Sequence, residues 1–115
     1  MLHKEDTIRL RHMLEAAEQA VAFVKDRDRS DLYTDCMLSF AVVRAIEIIG
    51  EAAGKVSPQG RAESPELPWP SIIAMRNRLI HAYFDIDLDR VWETVTDDLP
   101  QLIAALKEIL GAESE

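Results

Sequence analysis

Apolar residues recur along this chain at alternating steps of three and four, and that spacing constrains the fold more than any other feature. Leu10, Leu14, Ala17, Val21 and Val24 keep it in the first third of the chain. Leu38, Val42, Ala45, Ile49, Ala52 and Val56 keep it in the middle, and Leu88, Trp92, Val95, Leu99, Leu102, Leu106 and Ile109 in the last third. At about 100° per residue, each set makes one apolar stripe on a helix with charges on the opposite face. Such stripes are core-forming. Helices that cannot bury a stripe alone must pack on one another.

The breaks between stripes are equally legible. DRDRSD at 26–31 is polar and offers Ser30 or Asp31 as the N-cap of the second helix. SPQGRAESPELPWP at 57–70 holds four prolines and a glycine and reads as a long loop. Pro70 suits the first residue of a third helix, where a missing N–H costs nothing, and that helix is expected over about 70–82. DIDLD at 85–89 is the next break, with Asp87 as N-cap of the fourth helix. Pro100 lies within that helix and should kink it, because its ring clashes with the carbonyl four residues back. The expected architecture is all-α: one domain over 1–115, an antiparallel up-down bundle of four to five helices with a kinked last helix.

Composition removes other classes. Four glycines, five prolines and 6% aromatics suit an all-β fold poorly. No apolar run approaches the roughly 18–20 residues of a membrane span, and MLHKEDTIRL is too charged for a signal peptide. Cys36 is the one cysteine, so no internal disulfide can form, and no Cys/His group has zinc spacing. Asp85, Asp87 and Asp89 lack the glycine and terminal glutamate of a calcium loop and read as capping residues. No metal site and no cofactor is expected, and a cytoplasmic location is. The net charge of −8 argues against a protein that coats nucleic acid, but it is regional. Residues 1–81 carry 11 basic and 12 acidic side chains, whereas 82–115 carry 2 and 9.

The middle stripe has company. Met37, Phe40, Ala41, Ile46 and Ile48 add apolar surface to the second helix, which is expected to bury more than one side, in the bundle or against another subunit. The third helix carries a conflict. On its wheel Ile72, Ile73, Met75, Leu79, Ile80 and Tyr83 share a broad arc, and Arg76 falls inside it at about 40° from Ile72. An inward arginine needs an acidic partner, for which Glu47 and Glu51 are placed, or must line a cleft. Arg78 falls on the far side at about 240°. His81, five residues after Arg76, diverges from it by about 140° on an unbroken helix. For the two to cooperate, the helix must unwind near residue 80 or a second copy of the chain must complete the site. His3 and His12 have no such setting.

The segment MRNRLIHAYFDID at 75–87 resembles the signature of HEPN-domain proteins, in particular the HepT-like group of HEPN/minimal-nucleotidyltransferase toxin–antitoxin pairs. That motif is an Arg followed by a polar residue, then a His after four to six intervening residues, extended in the HepT-like group to His-x-Tyr. Here it reads Arg76, Asn77, His81 and Tyr83. AVVRAIEIIGEAAGKVS, LPWPSIIAMRNRLIHAYF and VWETVTDDLPQLIAAL resemble the family's later helices, so the likeness covers roughly residues 5–110. It implies a metal-independent endoribonuclease that leaves a 2′,3′-cyclic phosphate and a 5′-OH. His81 would serve as general acid or base, since histidine ordinarily titrates at about 6.5. Arg76 would hold phosphate oxygens in the transition state, Asn77 would orient the histidine or bind a phosphate or ribose oxygen, and Arg78 would contact RNA. The resemblance further implies a homodimer in which both Arg–His pairs line one cleft. It also implies silencing by a nucleotidyltransferase antitoxin that attaches AMP to Tyr83. RNA is then the expected substrate, with no DNA and no membrane partner. The alternative is a non-catalytic HEPN subunit that presents nucleotide or substrate to a separate nucleotidyltransferase.

Overall fold

The computed structural model describes residues 2–82 and 85–114, without the side chains of 81, 82, 113 and 114. Helix α1 spans Lys4–Phe23 and α3 spans Cys36–Gly54. Between them sits a single turn, α2, at Asp31–Thr34. A short α4 follows at Pro58–Glu63, then α5 at Trp69–Leu79. Strands β1 (Ile80–Ala82) and β2 (Asp85–Ile86) pair antiparallel. Helix α6 (Leu88–Glu93) runs through a five-residue π-helical segment at 94–98 into α7 (Leu99–Ser114). The fold is the expected all-α bundle, with α3 packed against both α1 and α5, and α7 against α1.

All six residues of the middle stripe are buried, as are Leu10, Ala17 and Val24 of the first. Met13, Ala16 and Ala20 complete the α1 core face. The small alanines on this helix admit α3 closely, so core density comes from backbone approach as well as bulk. Gly50 does the same for α5: a Cβ there would lie 3.7 Å from the carbonyl oxygens of Ile72 and Ile73. That is ordinary contact for a methyl group, but a longer side chain would push α5 away.

Several boundaries differ from the sequence expectation. The long second helix is capped by Asp35, whose Oδ1 accepts from Leu38 N at 3.1 Å, and not by Ser30 or Asp31. Arg27 explains the shift, since it holds Asp35 at 2.8 Å and Asp31 at 3.4 Å, folding the polar segment into its own turn. The stretch 57–70 is not all loop. Ser57 caps α4 through Gly60 N at 3.0 Å, Pro58 starts it, and buried Trp69 donates from Nε1 to Ser64 O at 3.0 Å. Pro100 is accommodated by the π-helical segment preceding it. Its missing N–H leaves the ladder short of a donor. Side chains along this stretch also donate to backbone carbonyls: Thr94 Oγ1 to Arg90 O at 2.8 Å, Thr96 Oγ1 to Trp92 O at 2.8 Å, and Gln101 Nε2 to Asp97 O at 3.2 Å. The wider turn also shifts the helical phase, so Val91 is fully buried while Trp92 is only half-buried.

Candidate active site

The largest departure from the sequence expectation falls at the motif. Helix α5 ends at Leu79 and does not continue to 82. Ile80 is already extended, at φ −123° and ψ 101°. In the two strands the β-branched Ile80 and Ile86 stand beside polar His81 and Asp85, which suits a strand better than another helical turn. Ile80 faces Ile86 and Ala82 faces Asp85, so β1 has one residue more than β2 between the two pairs. That extra residue is His81, at a bulge. The N–H of Asp87 returns to Leu79 O at 2.9 Å, and Asp87 then caps α6 through Arg90 N at 3.1 Å. Of the two arrangements that would free His81 from the helical 140° divergence, the unwinding near residue 80 is present. The imidazole of His81 and the whole of Tyr83 lie outside the described residues.

Arg76 is exposed and not inward-facing as the wheel implied. Its Cβ falls within the apolar arc, but its long stem lets the guanidinium reach water beside α3. Its Nε donates to Glu47 Oε2 at 3.1 Å. Glu51, the other candidate, pairs with Arg44 at 3.3 Å. Among the described residues the two terminal nitrogens of Arg76 have no partner, and the Asn77 side chain, also exposed, has none. Arg78 turns away from this pair. Its Nη2 bonds Ser71 O at 3.1 Å, and it borders a cleft of about 390 Å³ between α5 and α7, together with Glu66, Asp98 and Gln101. Arg76 and Asn77 therefore share the end of α5 with the start of β1, while Arg78 serves a different face.

The middle helix carries the other notable surface. Ile46 is buried and Ile48 half-buried, but Met37 is 83% exposed and Phe40 71%. With Ala41 and Arg44 they form a stripe at helical spacing that runs along α3 to the Glu47–Arg76 pair. Tyr33, also exposed, donates to Asp89 Oδ1 at 2.9 Å, and this bond is the main cause of its raised pKa. Arg29 holds Asp89 and Glu93 at 3.6 and 3.9 Å. This link between α2 and α6 went unnoticed in the sequence, because partners 56 residues apart leave no local signal. Among the described residues no group of three or more His, Cys, Asp or Glu is set to hold a metal, and no helix is long and apolar enough to cross a membrane.

A helical bundle whose Arg–Asn helix stops just before a His-bearing hairpin defines a class of small helical proteins built around an Arg-x4-His segment. The family model described as ribonuclease HepT-like matches residues 13–109, and the chain belongs to the HepT-like ribonuclease family. A protein of Thermococcus cleftensis named probable ribonuclease HepT is 40% identical over 93 residues, covering 81% of this chain and 84% of its own. A putative RNase of Caldanaerobacter subterraneus subsp. tengcongensis is 38% identical over 104 residues, covering 90% and 93%. A putative RNase of Methanocaldococcus jannaschii is 39% identical over 90 residues, covering 78% and 83%. No solved structure matches the chain significantly.

Proposed function

We propose that this protein is a metal-independent endoribonuclease, the toxin of a toxin–antitoxin pair, with Arg76 and His81 as its catalytic residues. The observation that carries the reading is the arginine whose terminal fork is unengaged among the described residues, at the end of a helix that stops two residues before the histidine. The chemistry needs little more. The ribose 2′-oxygen attacks phosphorus, the P–O2′ bond forms and the P–O5′ bond breaks. One proton leaves the 2′-hydroxyl and another reaches the departing 5′-oxygen. His81 moves these protons, Arg76 neutralises the charge that builds on the phosphoryl oxygens, and Asn77 hydrogen-bonds a phosphate or ribose oxygen or steadies the histidine.

A base and an acid are both wanted, and each chain supplies one histidine in the motif. The active unit is accordingly a homodimer, so that His81 and the partner's His81 can divide the two roles. The exposed Met37–Phe40 stripe supports this reading, because apolar surface of that kind is costly in water and leads directly to Arg76. Tyr83, two residues from His81, is the position at which a nucleotidyltransferase partner would attach AMP. The added phosphate would repel the RNA phosphate from the site. The test is cleavage of RNA in EDTA with end-group analysis. Cyclic phosphate and 5′-OH ends, lost in both Arg76→Ala and His81→Ala, are expected. Cleavage that survives either substitution, or that EDTA abolishes, would refute the proposal.

A further inference from the structure

We infer that Glu47 is a positioning residue for Arg76, an inference that rests on the catalytic reading of Arg76 above. A guanidinium offers two hydrogen-bonding edges: the side edge that includes Nε, and the end edge formed by the two terminal nitrogens. Glu47 takes Nε, at 3.1 Å. Among the described residues it therefore leaves the end edge open, an edge able to grip two phosphate oxygens in parallel. A carboxylate bound to the terminal nitrogens would have blocked it.

The surroundings keep the pair in this register. Glu47 stands one helical turn before Gly50, where α3 meets the α5 backbone at Ile72 and Ile73. Arg76 stands one turn beyond Ile72 on α5. Two helices held together at that point, running antiparallel, bring 47 and 76 opposite each other. The exposures are unequal: the Glu47 side chain is 25% accessible and that of Arg76 50%. The carboxylate is thus the better-anchored member, and the arginine is the member presented to solvent. Arg44, the other cation on this face, is engaged with Glu51 and does not compete for Glu47. An exposed pair of this kind adds little to stability, so its removal should leave the fold standing.

Glu47 also places a negative charge beside the phosphate site. Its removal should misalign the fork while making the local field more favourable to RNA. This predicts an unusual split, with slower turnover and no loss of binding. The experiment measures kcat and KM on an in vitro mRNA transcript and on total tRNA, for the wild type, Glu47→Ala, Glu47→Gln and Arg76→Ala. Glu47→Ala should lower kcat by about 10- to 100-fold, the scale of a misplaced catalytic group, with KM unchanged or lower and the melting temperature unchanged. Glu47→Gln keeps an acceptor for Nε and should recover most of the rate. Wild-type kcat in Glu47→Ala, or a raised KM, or a melting temperature that falls in step with activity, would overturn the role while leaving that of Arg76 intact. A wild type that cleaves neither RNA would overturn both.

Discussion

Asp6 is the most deeply buried acid of the described residues, at 4% exposure, and its replacement offers the sharpest test of how the bundle is closed. Its Oδ1 accepts from Ser57 N at 2.9 Å and its Oδ2 from Ser57 Oγ at 2.6 Å, while Ser57 Oγ in turn accepts from Gly60 N. The start of α1 is thereby clipped to the cap of α4. Burial alone would raise the carboxyl pKa. The Ser57 hydroxyl, the Ser57 N–H and the charge of His3 together outweigh it, and the pKa is lowered. Hydrogen bonds to a charged acceptor contribute about 1.5–3 kcal/mol each. Replacement by alanine also leaves the Ser57 N–H without its acceptor, so Asp6→Ala should cost about 2–4 kcal/mol. Asp6→Asn keeps one acceptor and should cost about half of that. Because the folded pKa lies below the unfolded one, the stabilisation is complete above the ordinary carboxyl value of about 3.9 and is lost as pH falls through the folded value. Urea unfolding followed by circular dichroism, at one protein concentration, should show a wild-type advantage over Asp6→Asn that is flat near neutral pH and shrinks in acid. An advantage that persists undiminished well below the carboxyl range would refute the charged clip.

Four further outcomes follow from other parts of the molecule. Met37→Glu with Phe40→Glu should yield a folded monomer by sedimentation, with RNA cleavage reduced by about 100-fold or more, the scale of losing one proton-transfer group. Tyr83→Phe should retain cleavage and lose AMP labelling by a nucleotidyltransferase, and continued labelling would remove Tyr83 from that role. Asp87→Ala, which deletes the cap of α6 below the hairpin, should lower stability by about 1 kcal/mol in thermal melts. RNA affinity of the His81→Ala protein should fall with salt at a log–log slope of about −1 to −3, corresponding to a few phosphate contacts on a single strand.

The bundle was legible because its information is local. A stripe at steps of three and four states which face of α3 is buried, and every member of that stripe is buried. The stripe in α1 is less complete, because Ala16 and Ala20 are too weakly apolar to stand out as core unless they fall on the three-and-four spacing as Ala17 does. What escaped was set by partners distant in sequence. The end of α5 at Leu79 depends on strand pairing with Asp85–Ile86 and on Asp87 returning to the Leu79 carbonyl, neither of which a helical wheel can register. The π-helical segment answers to Pro100, which the sequence marked as a disturbance without indicating which form it would take. At the site, the wheel correctly set Arg76 and Arg78 on different faces. It placed Arg76 indoors because a wheel assigns direction to a Cβ, whereas a long stem decides where the guanidinium ends.

The acidic balance of the chain and a ribonuclease function are reconciled by where the acids sit. Seven of the nine acids beyond residue 81 fall between Asp85 and Glu108, on β2, α6 and its cap, the π-helical segment and α7. Asp89 and Glu93 there are tied to Tyr33 and Arg29, and Asp98 borders the cleft that Arg78 occupies. Arg76 turns instead toward α3, where Arg44–Glu51 and Arg76–Glu47 nearly cancel one another. A phosphate approaching this face meets no broad positive field. In the role proposed for Arg76, what it would meet is a fork whose charge is balanced from behind, at Nε, and which is open in front among the described residues. Long-range attraction is therefore weak, and binding depends on direct contact within a Debye length of about 8–10 Å. With Arg76 in the role proposed above, such a site would discriminate by fit to one phosphodiester and not by general affinity for polyanions, so that a chain of net charge −8 could act on RNA without coating it.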